Sequence, residues 1–250
     1  MVTSRIQNII EQEIQAIRNI PIDGIIQDAI DLIYQQVHQK NGKVVVSGMG
    51  KAGQIGVNIA TTLSSTGTPA IFLHPAEAQH GDLGVVQSND VMFLISNSGK
   101  TREIIEMEHL VKKLRPGIKI IGLTGNPDGE LAGFSDVVLN TGNPKEVCPL
   151  GLTPTTSTTV MTVVGDVLVV MLMEKIGFSK EEYAKRIDTM LANLSGKKRT
   201  SAVIWMGPIA FEGKMSERRG PIVNAIMKER VNAFDGPAFF VDGYKRTLQK

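Results

Sequence analysis

The sequence has one cysteine, almost no charge imbalance and no uninterrupted apolar run of membrane-spanning length. Cys148 is the only cysteine among 250 residues, which excludes an internal disulfide and leaves the redox compartment open, with a reducing cytosol as the default. The 27 basic and 25 acidic residues give a net charge of +2, too small to hold nucleic acid by counterion release. A bilayer span needs roughly 18–20 apolar residues, and the N-terminus shows no signal-peptide core. We therefore expect a cytoplasmic protein with neither a nucleic-acid nor a membrane partner.

Short β-rich runs alternate with helical patterns along most of the chain. Strands this apolar, separated by helices, are typical of a parallel sheet covered on both faces. Apolar residues at three- and four-residue steps also predict two N-terminal helices, which Pro21 separates. We predict an α/β fold with a doubly wound, flavodoxin-like sheet of five parallel strands flanked by helices. The predicted strands are residues 43–47, 70–73, 91–96, 119–123 and 136–139.

A long apolar stretch and a less regular tail follow the predicted sheet. Residues 155–176 are apolar on nearly every side, but a polar start and two internal carboxylates favour a buried helix over a membrane span. After residue 186 the periodicity fades, and only a helix over residues 222–231 is suggested. We expect one domain over residues 1–186 and an unassigned tail over residues 187–250.

Two strand ends carry glycine and hydroxyl residues, and open α/β sheets bind ligands at such ends. The loop from Ser47 to Gly53 holds Lys51 among three glycines, and it is either a ligand loop or a tight turn. It is not a dinucleotide fingerprint, because His74 and Pro75 stand where an acidic residue should end the second strand. The loop from Ser96 to Thr101 precedes a helix, so it is either a phosphate cradle or an ordinary N-cap.

Two further clusters lie outside these loops. Five consecutive hydroxyl residues, Thr155–Thr159, exceed what capping one helix needs, and Glu146 precedes them in a loop that crosses the strand ends. The segment from His74 to Asp82 holds two histidines and two carboxylates without the spacing of a metal site. We therefore expect no metal. We expect His80 to take part in acid–base chemistry or to bind a hydroxyl group. His74 either has a similar role or forms part of a turn of the chain.

Together these segments resemble the sugar isomerase (SIS) domain family, specifically its arabinose 5-phosphate isomerase branch. The resemblance covers roughly residues 5–186 and is carried by 47–53, 65–69 (STGTP), 74–84 (HPAEAQHGDLG), 96–104, 145–151 and 155–159. It implies interconversion of ribulose 5-phosphate and arabinose 5-phosphate without a cofactor, as a step toward 3-deoxy-octulosonate for lipopolysaccharide or capsule. It also implies a sugar phosphate as ligand and a homo-oligomer, dimer or tetramer, with shared sites.

The resemblance also implies roles for individual residues. The phosphate would be held by Ser47, Ser96, Ser98, Gly99 and Thr101, and the reacting end would be lined by Lys51, His80, Glu103 and Glu146. Without the resemblance, Lys51 would be expected to form a structural salt bridge, and Glu103 would be a favourable charge in the first turn of a helix. The further substrate contacts that the resemblance implies are Gly48, Thr66, His74, Thr156 and Ser157.

The sequence departs from the family pattern after the long helix. A histidine thought catalytic is expected there, but Ile187 stands in its place, and no histidine follows His109. The paired CBS modules of many family members are also missing, which predicts a short form. The alternative to an enzyme is therefore a non-catalytic SIS module that binds a phosphosugar or nucleotide sugar as a regulator.

Overall fold

The computed structural model describes residues 2–187 and three short strands, residues 202–206, 238–242 and 247–248. It separates into two compact units, Met1–Tyr183 and Ala184–Lys250. The helix suggested over residues 222–231 lies outside the described residues. The division of the chain into functional domains stays a prediction.

The first unit is built on a five-stranded, all-parallel sheet with the strand order β2-β1-β3-β4-β5. Every predicted strand is present to within a residue or two at each end, so the predicted doubly wound α/β fold is confirmed. Because the strands are parallel, all five carboxyl ends meet at one edge. The strands are β1 (Val44–Gly48), β2 (Ala70–Phe72), β3 (Val91–Ile95), β4 (Lys119–Thr124) and β5 (Val137–Asn140).

Helices cover both faces of this sheet. The predicted break at Pro21 is confirmed, since α1 and α2 lie on either side of it, and α2 runs on into a π-helical segment over Tyr34–Gln39. A 3₁₀ turn over Asp82–Val85 follows α4. The helices are α1 (Val2–Arg18), α2 (Ile25–Ile33), α3 (Gly50–Ser65), α4 (Pro75–Ala78), α5 (Arg102–Leu114), α6 (Glu130–Phe134), α7 (Thr156–Lys175) and α8 (Lys180–Ile187).

Alternate residues of the buried strands enter two separate cores. On β1, Val44 and Val46 pack in the core formed with α2, α3 and α7, whereas Val45 packs in the core formed with α4, α5 and α6. Side chains of a strand alternate between its faces, so an all-apolar strand supplies both cores at once. This explains why the strands read as continuous apolar runs.

Helix α7 is the one described helix that is long and apolar enough to cross a membrane, with a mean hydropathy of 1.7. Half of it is buried inside the unit, and it packs against α1, α2 and α3. Gly165 permits the closest approach, because a Cβ atom there would lie 2.7 Å from the side chain of Ile59 on α3. The buried-helix interpretation of residues 155–176 therefore fits the packing.

The second unit contains a small sheet that the sequence did not predict. Strands β6 (Ala202–Met206) and β7 (Ala238–Asp242) pair in parallel, and β7 pairs antiparallel with β8 (Thr247–Leu248). Strands β6 and β7 join residues about 36 positions apart in the chain. Such distant pairing leaves little local signal beyond short apolar runs.

Candidate active site at the carboxyl edge of the sheet

The loop after β3 wraps its hydroxyls around the start of α5. Ser96 Oγ lies 2.7 Å from Thr101 Oγ1, and Ser98 Oγ accepts a hydrogen bond from the Lys100 N–H. Gly99 turns the loop with a φ of +65°, which favours glycine. Thr101 occupies the N-cap position without a side-chain cap bond, so its hydroxyl does not satisfy the first turn of α5. Free N–H groups, hydroxyls and the helix dipole together suit an anion.

The neighbouring segment after β4 fixes the shape of this loop. The Leu131 N–H donates to the Gly99 carbonyl, and the side-chain amide of Asn126 donates to the Ser98 carbonyl, each at 3.0 Å. A Cβ atom at Gly99 would lie 3.2 Å from the hydroxyl of Thr124. The loop is therefore pre-shaped, and ligand binding costs little ordering entropy.

The loop after β1 lies beside the first, because β1 and β3 are hydrogen-bonded neighbours. Close packing explains its glycines, since a Cβ atom at Gly53 would stand 2.6 Å from the Gly48 carbonyl oxygen. Gly48 thus has a packing role at the strand end. Ser47 Oγ is buried without a hydrogen-bond partner among the described residues, an uncommon state for a buried hydroxyl. The packed glycines agree with a tight turn, and the unpaired Ser47 hydroxyl agrees with a ligand loop, so both interpretations of this segment fit the structure.

A cleft of about 330 Å³ opens between α3 and the start of α7. Lys51 lines it from the first turn of α3 and is exposed. Within the described part of the chain, Lys51 forms no salt bridge, so its ammonium is not neutralised there. This differs from the structural salt bridge that the residue alone would suggest. The other lining residues are Gln54, Ile55, Asn58, Pro154, Thr158, Thr159 and Thr162.

Three polar residues of this lining, Gln54, Asn58 and Thr162, were not singled out from the sequence. Gln54 and Asn58 follow Lys51 at three- and four-residue steps, which places all three on one face of α3. A polar stripe at helical spacing behind a glycine loop is the signal that would have found them. The cleft is consequently lined by amides and hydroxyls, the groups that bind sugar hydroxyls.

Glu146 is held at the N-terminus of α7. Its Oε2 accepts hydrogen bonds from the Thr155 N–H at 2.7 Å, the Thr155 hydroxyl at 2.8 Å and the Ser157 N–H at 3.3 Å. Burial by itself would raise the pKa of Glu146, but the hydrogen bonds from Ser157 and Thr155 outweigh it and leave the pKa below its ordinary value. The carboxylate is therefore the stable form at neutral pH.

Thr156 and Ser157 are buried, each about 1% exposed, although both were expected to contact substrate. The Thr156 hydroxyl donates to Glu13 Oε1 on α1 and accepts from the Val147 N–H. The Ser157 N–H donates a hydrogen bond to Glu146 Oε2. The structure therefore gives these residues supporting contacts beneath the site.

The histidine segment lies at the end of β2, the edge strand next to β1. The His74 Nδ1 accepts from the Ala76 N–H and caps α4, in line with the expected turn, while His80 is exposed just beyond that helix. Glu103 lies partly buried in the first turn of α5. In the part of the chain that the structure describes, no three His, Cys, Asp or Glu side chains gather as metal ligands do.

The structure does not bring Thr66 to this edge. Thr66 is the C-cap residue of α3, and its hydroxyl donates to the Thr62 carbonyl one helical turn earlier. Helix α3 begins at the carboxyl edge of the sheet and returns to the amino edge, because the next parallel strand starts there. Thr66 therefore ends a helix on the far side of the sheet, away from the carboxyl edge of its own chain, and its contact with substrate stays a prediction.

Cys148 lies in the same loop as Glu146 and is partly exposed. Hydrogen bonds from the Thr153 side chain, and from the backbone of Thr153, Leu150 and Leu152, lower the pKa of the thiol to about 7. The sequence assigns no chemical role to this residue. Its five-residue spacing from a threonine in a short loop is too weak a signal to have predicted a reactive thiol.

The same fold occurs in known proteins. The SIS domain model matches residues 36–171, more than half of the chain. The chain belongs to the SIS domain family. The predicted family is thus confirmed.

Two relatives from the sequence comparison are arabinose 5-phosphate isomerases, in agreement with the predicted branch. KdsD of Pseudomonas aeruginosa is 45% identical over 172 residues, which are 64% of this chain and 52% of that protein. KdsD of Escherichia coli K12 is 45% identical over 163 residues, 65% of this chain and 49% of that protein. This SIS chain therefore spans about half the length of the curated relatives it matches.

Solved structures cover the same part of the chain. A Bacteroides fragilis protein assigned as a phosphosugar isomerase involved in capsule formation is 59% identical with a TM-score of 0.74, over 74% of this chain and 97% of that one. An Escherichia coli CFT073 protein in complex with arabinose 5-phosphate is 36% identical with a TM-score of 0.67, over 74% and 96%. Both structures share the fold of this chain. The first is assigned as a phosphosugar isomerase, and the second binds arabinose 5-phosphate.

Proposed function

We propose that this SIS chain is an aldose–ketose isomerase that interconverts D-ribulose 5-phosphate and D-arabinose 5-phosphate. One observation carries the proposal: the hydroxyl-rich loop before α5 adjoins the loop that carries Lys51, above a cleft lined by amides and hydroxyls. An anion site next to a hydroxyl-binding cleft matches the two ends of a sugar phosphate. The similarity to the KdsD enzymes supports the choice of sugar.

The proposed reaction moves one proton between C1 and C2 through an enediol. Glu146 accepts the proton from one carbon and returns it to the next, and a second group moves a proton between the two oxygens. Lys51 stabilises the negative charge that develops on the enediolate oxygen. We assign the transfer of the oxygen-bound proton to His80 or Glu103. No electrons leave the substrate, so the step needs neither an oxidant nor a cofactor.

The phosphate end of the substrate is proposed to rest on the loop after β3. The residues with this role are Ser96, Ser98, Gly99 and Thr101, with Ser47 on the neighbouring loop. The first turn of α5 supports it, because no side chain caps it and the dipole favours negative charge. Binding energy from the phosphate then orients C1 and C2 toward Glu146.

We propose that the product feeds 3-deoxy-octulosonate synthesis for lipopolysaccharide or capsule, and that the protein works in the cytoplasm. The name of the Bacteroides fragilis structure, which refers to capsule formation, supports this role.

We also propose that the chain works as a homo-oligomer. Helix α1 exposes Val2, Ile6, Ile9 and Ile10, and α7 exposes Val167, Val170 and Met171. Apolar faces on packed neighbouring helices are typical of a subunit interface. Sedimentation velocity should give a dimer or tetramer for the wild type and a smaller species for Ile10→Lys. A monomeric wild type would contradict the proposal.

A second function is favoured by one sequence observation. Ile187, the last residue of α8, stands where the resemblance implies a histidine. A chain that binds the sugar phosphate without turnover would act as a regulatory module that senses a phosphosugar or nucleotide sugar.

One pair of measurements separates the two functions. A coupled assay follows arabinose 5-phosphate formation from ribulose 5-phosphate, while calorimetry measures binding of the same sugar to the same preparation. Turnover with binding supports the isomerase. Binding without turnover selects the regulatory module, and absence of both rejects ribulose 5-phosphate as the ligand.

A further inference from the structure

This inference rests on the proposed isomerase and concerns what holds Glu146 in place. Glu13 lies in α1, 143 positions before Thr156 in the chain. Its Oε1 accepts a hydrogen bond of 2.8 Å from the Thr156 hydroxyl. Its Oε2 is buried and has no hydrogen-bond partner among the described residues. Glu13 as a whole is partly exposed, but one buried carboxylate oxygen without a partner is costly, so this contact calls for an explanation.

The Thr156 hydroxyl connects Glu13 to the loop that carries Glu146. A hydroxyl has one proton to donate and two lone pairs. Because the proton goes to Glu13, a lone pair faces the Val147 N–H, which donates to it at 3.1 Å. Val147 follows Glu146 directly. The orientation of one hydroxyl therefore fixes the backbone next to the proposed base.

The charge of Glu13 suits this place in the fold. Thr156 is the first residue of α7, where the helix dipole stabilises a negative group. A hydrogen bond that ends on a carboxylate is also shorter and stronger than one between neutral groups. Glu13 consequently holds the Thr156 proton more firmly than a neutral acceptor or water would.

We propose that Glu13 is a positioning residue, which orients the Thr156 hydroxyl and thereby holds the Glu146 loop against the start of α7. It touches no substrate atom. Helix α1 thus becomes a working part of the site, although it supplies no residue to the cleft or to the phosphate loop.

The same helix offers a matched control. Glu11 is exposed, and its Oε1 accepts a hydrogen bond from Gln15 on α1 itself. Replacing Glu11 removes the same charge from the same helix without reaching Thr156. Glu13→Met removes the acceptor at similar length, Glu13→Gln keeps an acceptor oxygen, and Glu11→Met serves as control.

Steady-state kinetics with ribulose 5-phosphate test the proposal in the full chain. We expect Glu13→Met to lower kcat by about tenfold to a hundredfold, because small displacements of a catalytic group have effects of that size. KM should stay within about twofold, since the phosphate loop is untouched. Glu13→Gln should recover most of the lost kcat, and Glu11→Met should match the wild type. Equal rates for Glu13→Met and Glu11→Met, or equal losses in the Met and Gln variants, would overturn the proposal.

Amide hydrogen exchange at Val147 gives a readout that does not depend on turnover. Exchange should accelerate in Glu13→Met, and in Glu13→Gln, whose neutral amide oxygen still accepts the Thr156 proton, the rate should lie between those of the wild type and Glu13→Met. An inactive wild type would end the proposed isomerase function, and exchange would then decide the role of Glu13 alone: unchanged exchange refutes it. If circular dichroism finds Glu13→Met unfolded, Glu13→Ala replaces it in both measurements.

Discussion

The loop after β3 and the loop before α7 both present polar groups at the carboxyl edge of the sheet, but they are held differently. In the first, the side-chain contacts within the loop join residues two to five positions apart, such as Ser96 with Thr101. In the second, Glu146 bonds residues nine and eleven positions away, and Thr156 depends on Glu13 at a distance of 143 positions. The hydroxyls of the first loop are therefore arranged within one βα unit, although Asn126 and Leu131 after β4 fix the shape of that loop, whereas the proposed chemistry depends on a contact 143 positions apart.

The largest effect should come from removing the charge of Glu146, which is held against the start of α7. Glu146→Gln keeps the shape but not the basic carboxylate, so kcat for isomerisation should fall by about 10²- to 10⁴-fold. Calorimetry should find sugar phosphate binding within a few-fold of wild type, because the loop after β3 is intact. Loss of binding together with turnover would mean that the two regions are not separable.

The converse change weakens the phosphate loop. Thr101→Val removes a hydroxyl that lies 2.7 Å from Ser96 Oγ, and a hydrogen bond to a charged group contributes about 1.5–3 kcal/mol. We expect KM to rise by roughly tenfold to a hundredfold, with a smaller change in kcat. Thr61→Val on the exposed face of α3, where the hydroxyl bonds only its own helix, is the control. A kcat loss at constant KM would assign Thr101 to the chemistry instead.

The local origin of the first loop explains why it was predictable. The loop Ser-Asn-Ser-Gly-Lys-Thr lies directly between a strand and a helix, so a short stretch of sequence contains the whole pattern. The parallel sheet follows from the alternation of strands and helices. The same holds for the five strands and for the break at Pro21.

Contacts made across the fold could not be predicted in this way. Nothing near Glu13 in the sequence points to Thr156, and the burial of Thr156 and Ser157 follows from how α1 and α7 pack. The position of Thr66 was not predictable for a related reason: its motif marks a turn, but only the direction of α3 shows at which edge of the sheet that turn lies. Strands β6 and β7 of the second unit also pair across a long separation.

A pH profile should also distinguish the two loops. The pKa of Glu146 is lowered, so its carboxylate persists as the pH falls below the ordinary glutamate value, and its hydrogen bonds stabilise the fold until the pH passes the lowered pKa. Thr155→Val removes one hydroxyl donor, which raises the pKa of Glu146. The acidic limb of kcat/KM should then move to higher pH. In Thr101→Val the limb should stay in place, and a shift there would assign the limb to another group.

The smallest effect concerns Cys148, which tests how firmly the Glu146 loop is ordered. With a pKa of about 7, roughly half of the thiol is thiolate at neutral pH, so iodoacetamide should alkylate it readily. Thr153→Val removes the hydroxyl that contributes most to this low pKa, and the alkylation rate at pH 7 should fall about two- to fivefold. Saturating sugar phosphate should slow alkylation of the wild type, because a substrate over Glu146 covers the same loop. An unchanged rate in Thr153→Val would show that the loop does not hold these contacts in solution, and the distant anchoring of Glu146 would then lose its support.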